Sequence, residues 1–405
     1  MDEISDIDVA NELIALCRAG KLYEIDRWIA GGRSLDIFVA KKRGRQKGLL
    51  ELAVETGFHS LVELIAKNEP TQSAKDAALS SAVSSRRLDL VELLVAHGAD
   101  VRAVPLVEVL INWDPKLMRF FLDHGADPVD GRPFAEAFRE KIRTTLRVFV
   151  DYRQSHSELA VQLQEQVDCA LRYFCGQGDL KWVSLMMWAG GDPRSRGPNL
   201  EKDYTEDPEC YTSGLEEACY SGHVEVLKKL KPHPEHDNVI ELLRCASICR
   251  RVETLAYLLE LGVNPNDKAN GGSSALDSVL RMNFFSIDAF GSNRLSSKYD
   301  VRRDLDAVSA LLSHGAAWRP DGAPELNSLR RALLGCDPEV TIELLQMFRK
   351  HNACPAETVH KLLGSPRMRE HLKPQTHALL RLGIHLEDRP IKMIRKRYGR
   401  MNAGV

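Results

Sequence analysis

The sequence carries no surplus of charge of either sign: 55 Lys and Arg stand against 57 Asp and Glu, a formal charge of −2. The broad positive field that draws many proteins onto nucleic acid is therefore absent, and any such contact has to be local. No run approaches the roughly 18 apolar residues that a membrane-spanning helix needs. The opening stretch Met1-Asp-Glu-Ile-Ser-Asp-Ile-Asp8 is acidic where a secretory signal is basic and then apolar, so the chain reads as unsecreted and cytoplasmic. Cysteines number nine, with no Cys-x-x-Cys pair, which argues against a disulfide scaffold and for free thiols in a reducing compartment. GxxxxGK[ST], GxGxxG, HExxH and GxSxG patterns are all missing, so the chain offers no recognisable phosphate cradle, zinc-protease pair or nucleophile elbow.

What the sequence does have is one pattern, repeated. Leu90-Val-Glu-Leu-Leu-Val-Ala-His-Gly-Ala-Asp100 returns as Met118-Arg-Phe-Phe-Leu-Asp-His-Gly-Ala-Asp127 and as Val308-Ser-Ala-Leu-Leu-Ser-His-Gly-Ala-Ala317. Weaker copies end at Gly190-Gly-Asp192 and Gly262-Val-Asn264. Each has leucine-like residues at helical spacing, then Gly, then Asp or Asn, often followed by Pro: a helix, its left-handed cap and an extended exit. A second apolar segment precedes it, clearest in Ser213-Gly-Leu-Glu-Glu-Ala-Cys-Tyr-Ser-Gly-His-Val-Glu-Val-Leu-Lys-Lys-Leu230, where Gly222 separates two stripes. The unit is a helical hairpin.

These residues resemble the ankyrin repeat, whose unit reads roughly TPLHxAAxxGHxEVVKLLLxxGADPN; Gly222-His-Val-Glu-Val-Leu and the His-Gly-Ala-Asp strings at His97 and His124 carry the likeness. Second-helix caps at or near positions 32, 68, 98, 125, 152, 190, 232, 262, 315, 352 and 383 give ten to eleven units. Their mean step is about 35 residues against a family period of about 33. The expectation is an all-α, curved, ankyrin-type helix-turn-helix solenoid over 10–388, with loop insertions at 193–212 and 281–304. An acidic segment, 1–9, precedes it and a basic cap or tail, 389–405, follows. The TPLH tetrapeptide is intact nowhere, so the hydrogen bonds that open each first helix have to come from other residues. Spacings near 27 over 105–160 point to short repeats there.

The resemblance implies a protein-binding scaffold without catalysis, acting as an adaptor or as an inhibitor, immunity or regulatory subunit. Partner contacts are expected at the finger residues after each cap, Arg102, Asp130, Arg132, Arg194, Arg196, Asp267, Lys268 and Asn270, and at Tyr220 on an outward first-helix position. The second insertion adds Phe284, Phe285, Phe290 and Arg294, since interfaces concentrate their energy in aromatic and Arg anchors. For any one of these a solvated turn residue, or an aromatic tucked onto the flank, is the plainer alternative. The basic runs Lys41–Lys47 and Arg389–Arg400 hold open a nucleic-acid role. His233-Pro-Glu-His236 with Cys245 and Cys249 looks superficially like ligand spacing, but the thiols read as core residues, and no metal, cofactor or catalytic residue is expected. His97, His124, His223 and His314 fall at recurrent positions, where the resemblance implies hydrogen bonds between turns.

Overall fold

The helical spacing of the apolar residues is realised as short helices laid down in pairs. The computed structural model describes residues 3–35, 38–39, 47–69, 71–200, 208–269, 272–282, 298–318, 328–329, 332–333, 338–354, 370 and 372–373. The chain divides into unit 1, Met1–Phe174 with Lys181–Thr212, and unit 2, Cys175–Leu180 with Ser213–Val405. Among the described residues no helix is long and apolar enough to cross a membrane.

In unit 1 the pairs are α1 (Glu3–Arg18) with α2 (Leu22–Ala30), α3 (Leu49–Thr56) with α4 (His59–Asn68), and α5 (Gln72–Ser84) with α6 (Leu88–Ala96). They continue as α7 (Leu106–Leu110) with α8 (Pro115–Asp123) and α9 (Pro133–Arg139) with α10 (Arg143–Ser155). First helices pack on first helices, in the order α1, α3, α5, α7, α9, while α2 packs on α4, α4 on α6 and α8 on α10. Two-residue strands β1 (Phe38–Val39) and β2 (Lys47–Gly48) pair antiparallel ahead of α3. The stripes explain the pairing. Leu61, Val62, Ile65 and Ala66 of α4 are spaced to lie on one side of a 3.6-residue helix and are all buried, as are Leu49, Leu50, Leu52, Ala53 and Val54 of α3. The next pair is α11 (Ala160–Gln177) with α12 (Leu180–Trp188), where Phe174 stacks on Trp182 with centroids 5.2 Å apart.

Unit 2 repeats the scheme with α13 (Gly214–Ser221) and α14 (Val224–Leu230), α15 (Val239–Ile248) and α16 (Val252–Glu260), and α17 (Ala275–Met282) and α18 (Lys298–Ser313), followed by α19 (Pro338–Lys350). Here α13 packs on α15 and α15 on α17, while α14, α16, α18 and α19 form the other row.

Left-handed residues punctuate the pairs. Between the two helices of successive pairs lie Gly20, Gly57, Arg86, Trp113, Lys141, Gly178, Gly222 and Arg250, all at positive φ. After the second helices come Gly32, Gly98, Gly125, Gly190, Gly262, Gly315 and Asn352, also at positive φ and where the sequence places them. Three expected caps fare differently. Residue 68 closes α4 without a left-handed turn, Glu69 being extended; Lys231 rather than Pro232 takes the left-handed form; and α10 runs through 152 to Ser155. The position near 383 lies outside the described residues.

Boundaries also move. Residues 3–9, expected as a separate acidic segment, are the first turns of α1. At the ends of the expected insertion 281–304, α17 runs to Met282 and α18 starts at Lys298; residues 283–297 lie outside the described residues. The loop at 193–212 is closed at its neck, where Gly197 and Thr212 form an antiparallel bridge. Beneath it Arg172, fully buried, donates to the carbonyls of Pro198 (3.0 Å) and Ser195 (3.3 Å) and pairs with Glu165.

Of the helix starts left open by the missing TPLH, those of α3 and α13 are closed by acids and those of α15 and α17 by Asn and Ser. Glu51, Glu216, Glu241 and Asp277 each sit three residues after the helix-start position and are only 5–7% exposed. The Glu51 carboxylate accepts from Gly48 N at 3.1 Å and that of Glu216 from Ser213 N at 2.7 Å. Asn238 Oδ1 and Ser274 Oγ accept in turn from Glu241 N and Asp277 N. A buried carboxylate is costly unless bonded, and a helix N-terminus supplies both N–H groups and a favourable dipole.

A second device recurs at the fingers. Gln72 Nε2 donates to Gly98 O (2.9 Å) while Asp76 Oδ1 accepts from Asp100 N (2.9 Å). Gln164 Nε2 donates to Gly190 O (2.9 Å) while Asp168 Oδ1 accepts from Asp192 N (2.7 Å). In both, a Gln and an Asp one turn apart on the first helix clamp the exit of the second, across 26 and 24 residues. In unit 2 a single side chain, Asn266, does the same at Gly315 O and Ala317 N.

Candidate functional site

Most of the expected finger residues are exposed but already occupied with their own turns. Arg102 N donates to Asp100 Oδ1, Asp130 N lies 3.3 Å from Asp127 Oδ1, and Arg194 N donates to Asp192 Oδ1. Asp267 Oδ1 accepts from Asn264 Nδ2 at 2.8 Å, and Lys268 is exposed beside it. Arg132 caps α9 in a left-handed conformation with a guanidinium N 4.0 Å from Cys169 Sγ. Arg196 donates to Tyr211 O at 2.6 Å and so fastens the neck of the 193–212 loop. Tyr220 is half-buried; burial, with the Cys245 thiol hydrogen-bonded to it, pushes its hydroxyl well above the usual range. Its backbone carbonyl accepts from Arg251 Nε. Tyr220 therefore belongs to the packing between α13 and α15. Asn270, Phe284, Phe285, Phe290 and Arg294 lie outside the described residues, as do both basic runs apart from Lys47, which pairs with Glu55.

The histidines divide. His223 does bond between hairpins, its Nε2 lying 3.0 Å from Gly176 O. His124 and His314 instead close their own helices, with Nδ1 2.7 Å from Phe120 O and 2.9 Å from Ala310 O. His124 also stacks on Phe120, and His156 on Tyr152, each at 3.9 Å. The buried thiols are equally settled. Burial raises Cys17 to about 11 and, outweighing its bond to Tyr220, Cys245 to about 12. It also raises Cys169, Cys175 and Cys219, so these groups stay protonated near neutrality and are poor nucleophiles.

A surface the finger-based reading missed lies in unit 1, at the opposite ends of the first helices from the finger turns. Val107, Ile111, Trp113, Glu136, Arg139, Glu140 and Ile142 line an open cleft of about 350 Å³. Trp113 occupies the left-handed turn between α7 and α8 at φ 68°, where other pairs place Gly, Arg or Lys. A side chain there costs roughly 1–2 kcal/mol, and a bulky one is a genuine outlier. Its carbonyl is pinned by Thr144 Oγ1 at 3.2 Å, yet the side chain is 59% exposed and Ile111 next to it 40%. Across the cleft Arg139 bridges Glu136 (2.9 Å) and Glu140 (3.5 Å), and exposed Lys141 follows Glu140. The signal available in the sequence was Ile111-Asn-Trp113-Asp-Pro115, an aromatic just ahead of the Asp-Pro that starts α8. Asp114 accepts there from Lys116 N and Leu117 N.

Compared with known proteins, the chain matches no protein-family model and no curated sequence.

Proposed function

We propose that this chain is a non-enzymatic repeat scaffold of the ankyrin type that binds a protein partner, and that unit 1 meets the partner at the Trp113 cleft. The observation that carries this is Trp113 itself. The burial that this half-exposed ring contributes is offset by its left-handed strain, so folding alone gives little reason to prefer it to Gly. The left-handed turn is shared with Arg86, Lys141 and Arg250; what sets Trp113 apart is a large, exposed aromatic ring, the residue type that anchors interfaces. The ankyrin-type arrangement is supported by hairpins closed by left-handed Gly or Asn and by finger backbones held from the first helix. Apolar stripes spent on neighbouring helices leave turns and outward positions for recognition. The cleft favours a partner segment that lays an apolar side chain on Trp113 beside a polar group able to meet the Glu136–Arg139–Glu140 ion pairs. The exposed fingers at Arg102, Asp130, Arg194, Asp267 and Lys268 are secondary contacts in this reading.

The test is a photo-crosslinking amino acid placed at 113 in the full chain, with the same residue at exposed Arg119 on α8 as the control. One protein should be trapped from 113 and not from 119. Its affinity for the Trp113→Gly chain should fall at least about tenfold, as for an interface hot spot. Equal trapping at both positions, or an unchanged affinity, overturns the proposal.

A further inference from the structure

The finger between α14 and α15 in unit 2 carries a second feature, independent of the scaffold reading. His233, Glu235 and His236 are all exposed, and one donor atom from each lies within 4.8 Å of the others. The two imidazole rings stack at 5.1 Å with their planes 26° apart. The backbone beneath them is tied before any ligand arrives. His233 N donates to Asp237 Oδ2 (2.7 Å), while His233 O accepts from both His236 N (3.1 Å) and Asp237 N (2.9 Å). Left-handed Lys231 leads into the turn, and Pro232 and Pro234 restrict φ on either side of His233.

From this geometry we infer that the turn His233–Asp237 binds a borderline divalent cation of the Zn²⁺ class through His233, Glu235 and His236. Two imidazoles with one carboxylate suit zinc and its neighbours rather than Ca²⁺ or Mg²⁺, which take all-oxygen shells. Tetrahedral zinc with donors near 2.1 Å places them roughly 3.4 Å apart; His233 Nδ1 accepts from Glu235 N (3.2 Å), which leaves Nε2 as its ligand atom, and the exposed side chains close inward slightly around the ion. Three protein ligands leave a further position for water. The thiols that the sequence spacing set beside these histidines take no part. Cys245 is buried and lies 3.9 Å from Glu241 Oε1, Cys249 is only half-buried, and neither joins the cluster. Because the turn is closed by its own backbone, binding has little chain to order, which is where an exposed three-ligand site otherwise loses affinity.

Calorimetric titration of the full chain with Zn²⁺ alone should show one equivalent bound at this turn. His233→Ala and His236→Ala should each weaken it about tenfold or more, and the pair should abolish it. Titration with Co²⁺ identifies the donors: a nitrogen and oxygen shell gives only weak ligand-field bands, whereas thiolate adds an intense charge-transfer band. Circular dichroism unchanged by the substitutions separates loss of ligands from loss of fold. No binding at all, binding that survives the double substitution, or a thiolate band for the tight equivalent overturns the inference.

Discussion

Residues 101–155 of unit 1 and 213–262 of unit 2 each build two helical hairpins, and they are held together by different means. In the first stretch the opening helices are short, five residues in α7 and seven in α9, and the interior is aromatic. Phe121, Phe134, Phe138 and Phe149 are fully buried, Phe149 meeting Phe134 edge-on at 5.1 Å and Phe138 at 5.4 Å. In the second, α13 and α15 have eight and ten residues and the interior is aliphatic and thiol: Leu215, Ala218, Cys219, Leu242, Leu243, Cys245 and Ala246. Polar work is done there by the caps at Ser213 and Asn238, and by His223 and Arg251 reaching back to Gly176 O and Tyr220 O. A shorter opening helix brings fewer side chains to the interior. Large rings offset that, since each buries about 150–250 Å². Longer opening helices go with small residues inside and with the cap and hairpin-to-hairpin hydrogen bonds just named.

The largest expected effect comes from emptying the aromatic cluster. Phe149→Ala should cost about 3–5 kcal/mol and loosen amide exchange across α8, α9 and α10. A loss below about 1 kcal/mol would mean the rings do not carry this stretch. Next is Gly222→Ala, where a Cβ would stand 2.8 Å from Arg251 Cδ on a backbone at φ 86°. It should cost about 1–2 kcal/mol, part of it recovered when Arg251→Ala is added. Additive costs in the double variant would show that the contact with Arg251 is irrelevant. Ser213→Ala removes the cap on Glu216 N and should cost about 1 kcal/mol, read as faster exchange in the first turn of α13. Smallest is Trp113→Gly. Relief of the left-handed strain offsets the lost burial to within about 1 kcal/mol, while partner affinity falls. A substantial destabilisation there would make Trp113 a packing residue and remove the reason for placing the partner on it.

The second helices and most of their exits were legible because Gly followed by Asp or Asn states a left-handed cap in the residues themselves. The reciprocal cap of Ser213 and Glu216, which stands where TPLH is missing, came from the structure. Turns built on Arg86, Trp113, Lys141 and Arg250 were not legible, since nothing in those side chains announces a positive φ; the surrounding packing imposes it. The same cause hid the cleft, whose lining comes from α7, α9 and the two turns beyond them. The step of 27 residues near 152 misled in another way. It continues a regular count, but α10 carries on to Ser155, where His156 lies against Tyr152. Of the residues nominated for contact, the described fingers are on the surface as foreseen. Tyr220 and Arg196 are spent on the fold itself, a matter of neighbours that a linear pattern does not contain.

The paired Gln and Asp on α5 and on α11 give these hairpins a gauge of their own length. The two contacts close only when the glycine arrives 26 residues after the Gln and the next amide 24 after the Asp. A residue inserted between Asp76 and Gly98 would move one end of that gauge and not the other, so copying errors inside such a hairpin are resisted locally. Lengthening beyond Asp100 leaves both contacts untouched. Tolerance to growth is thereby steered outward, to the finger tips, where new sequence meets other molecules before it meets the core.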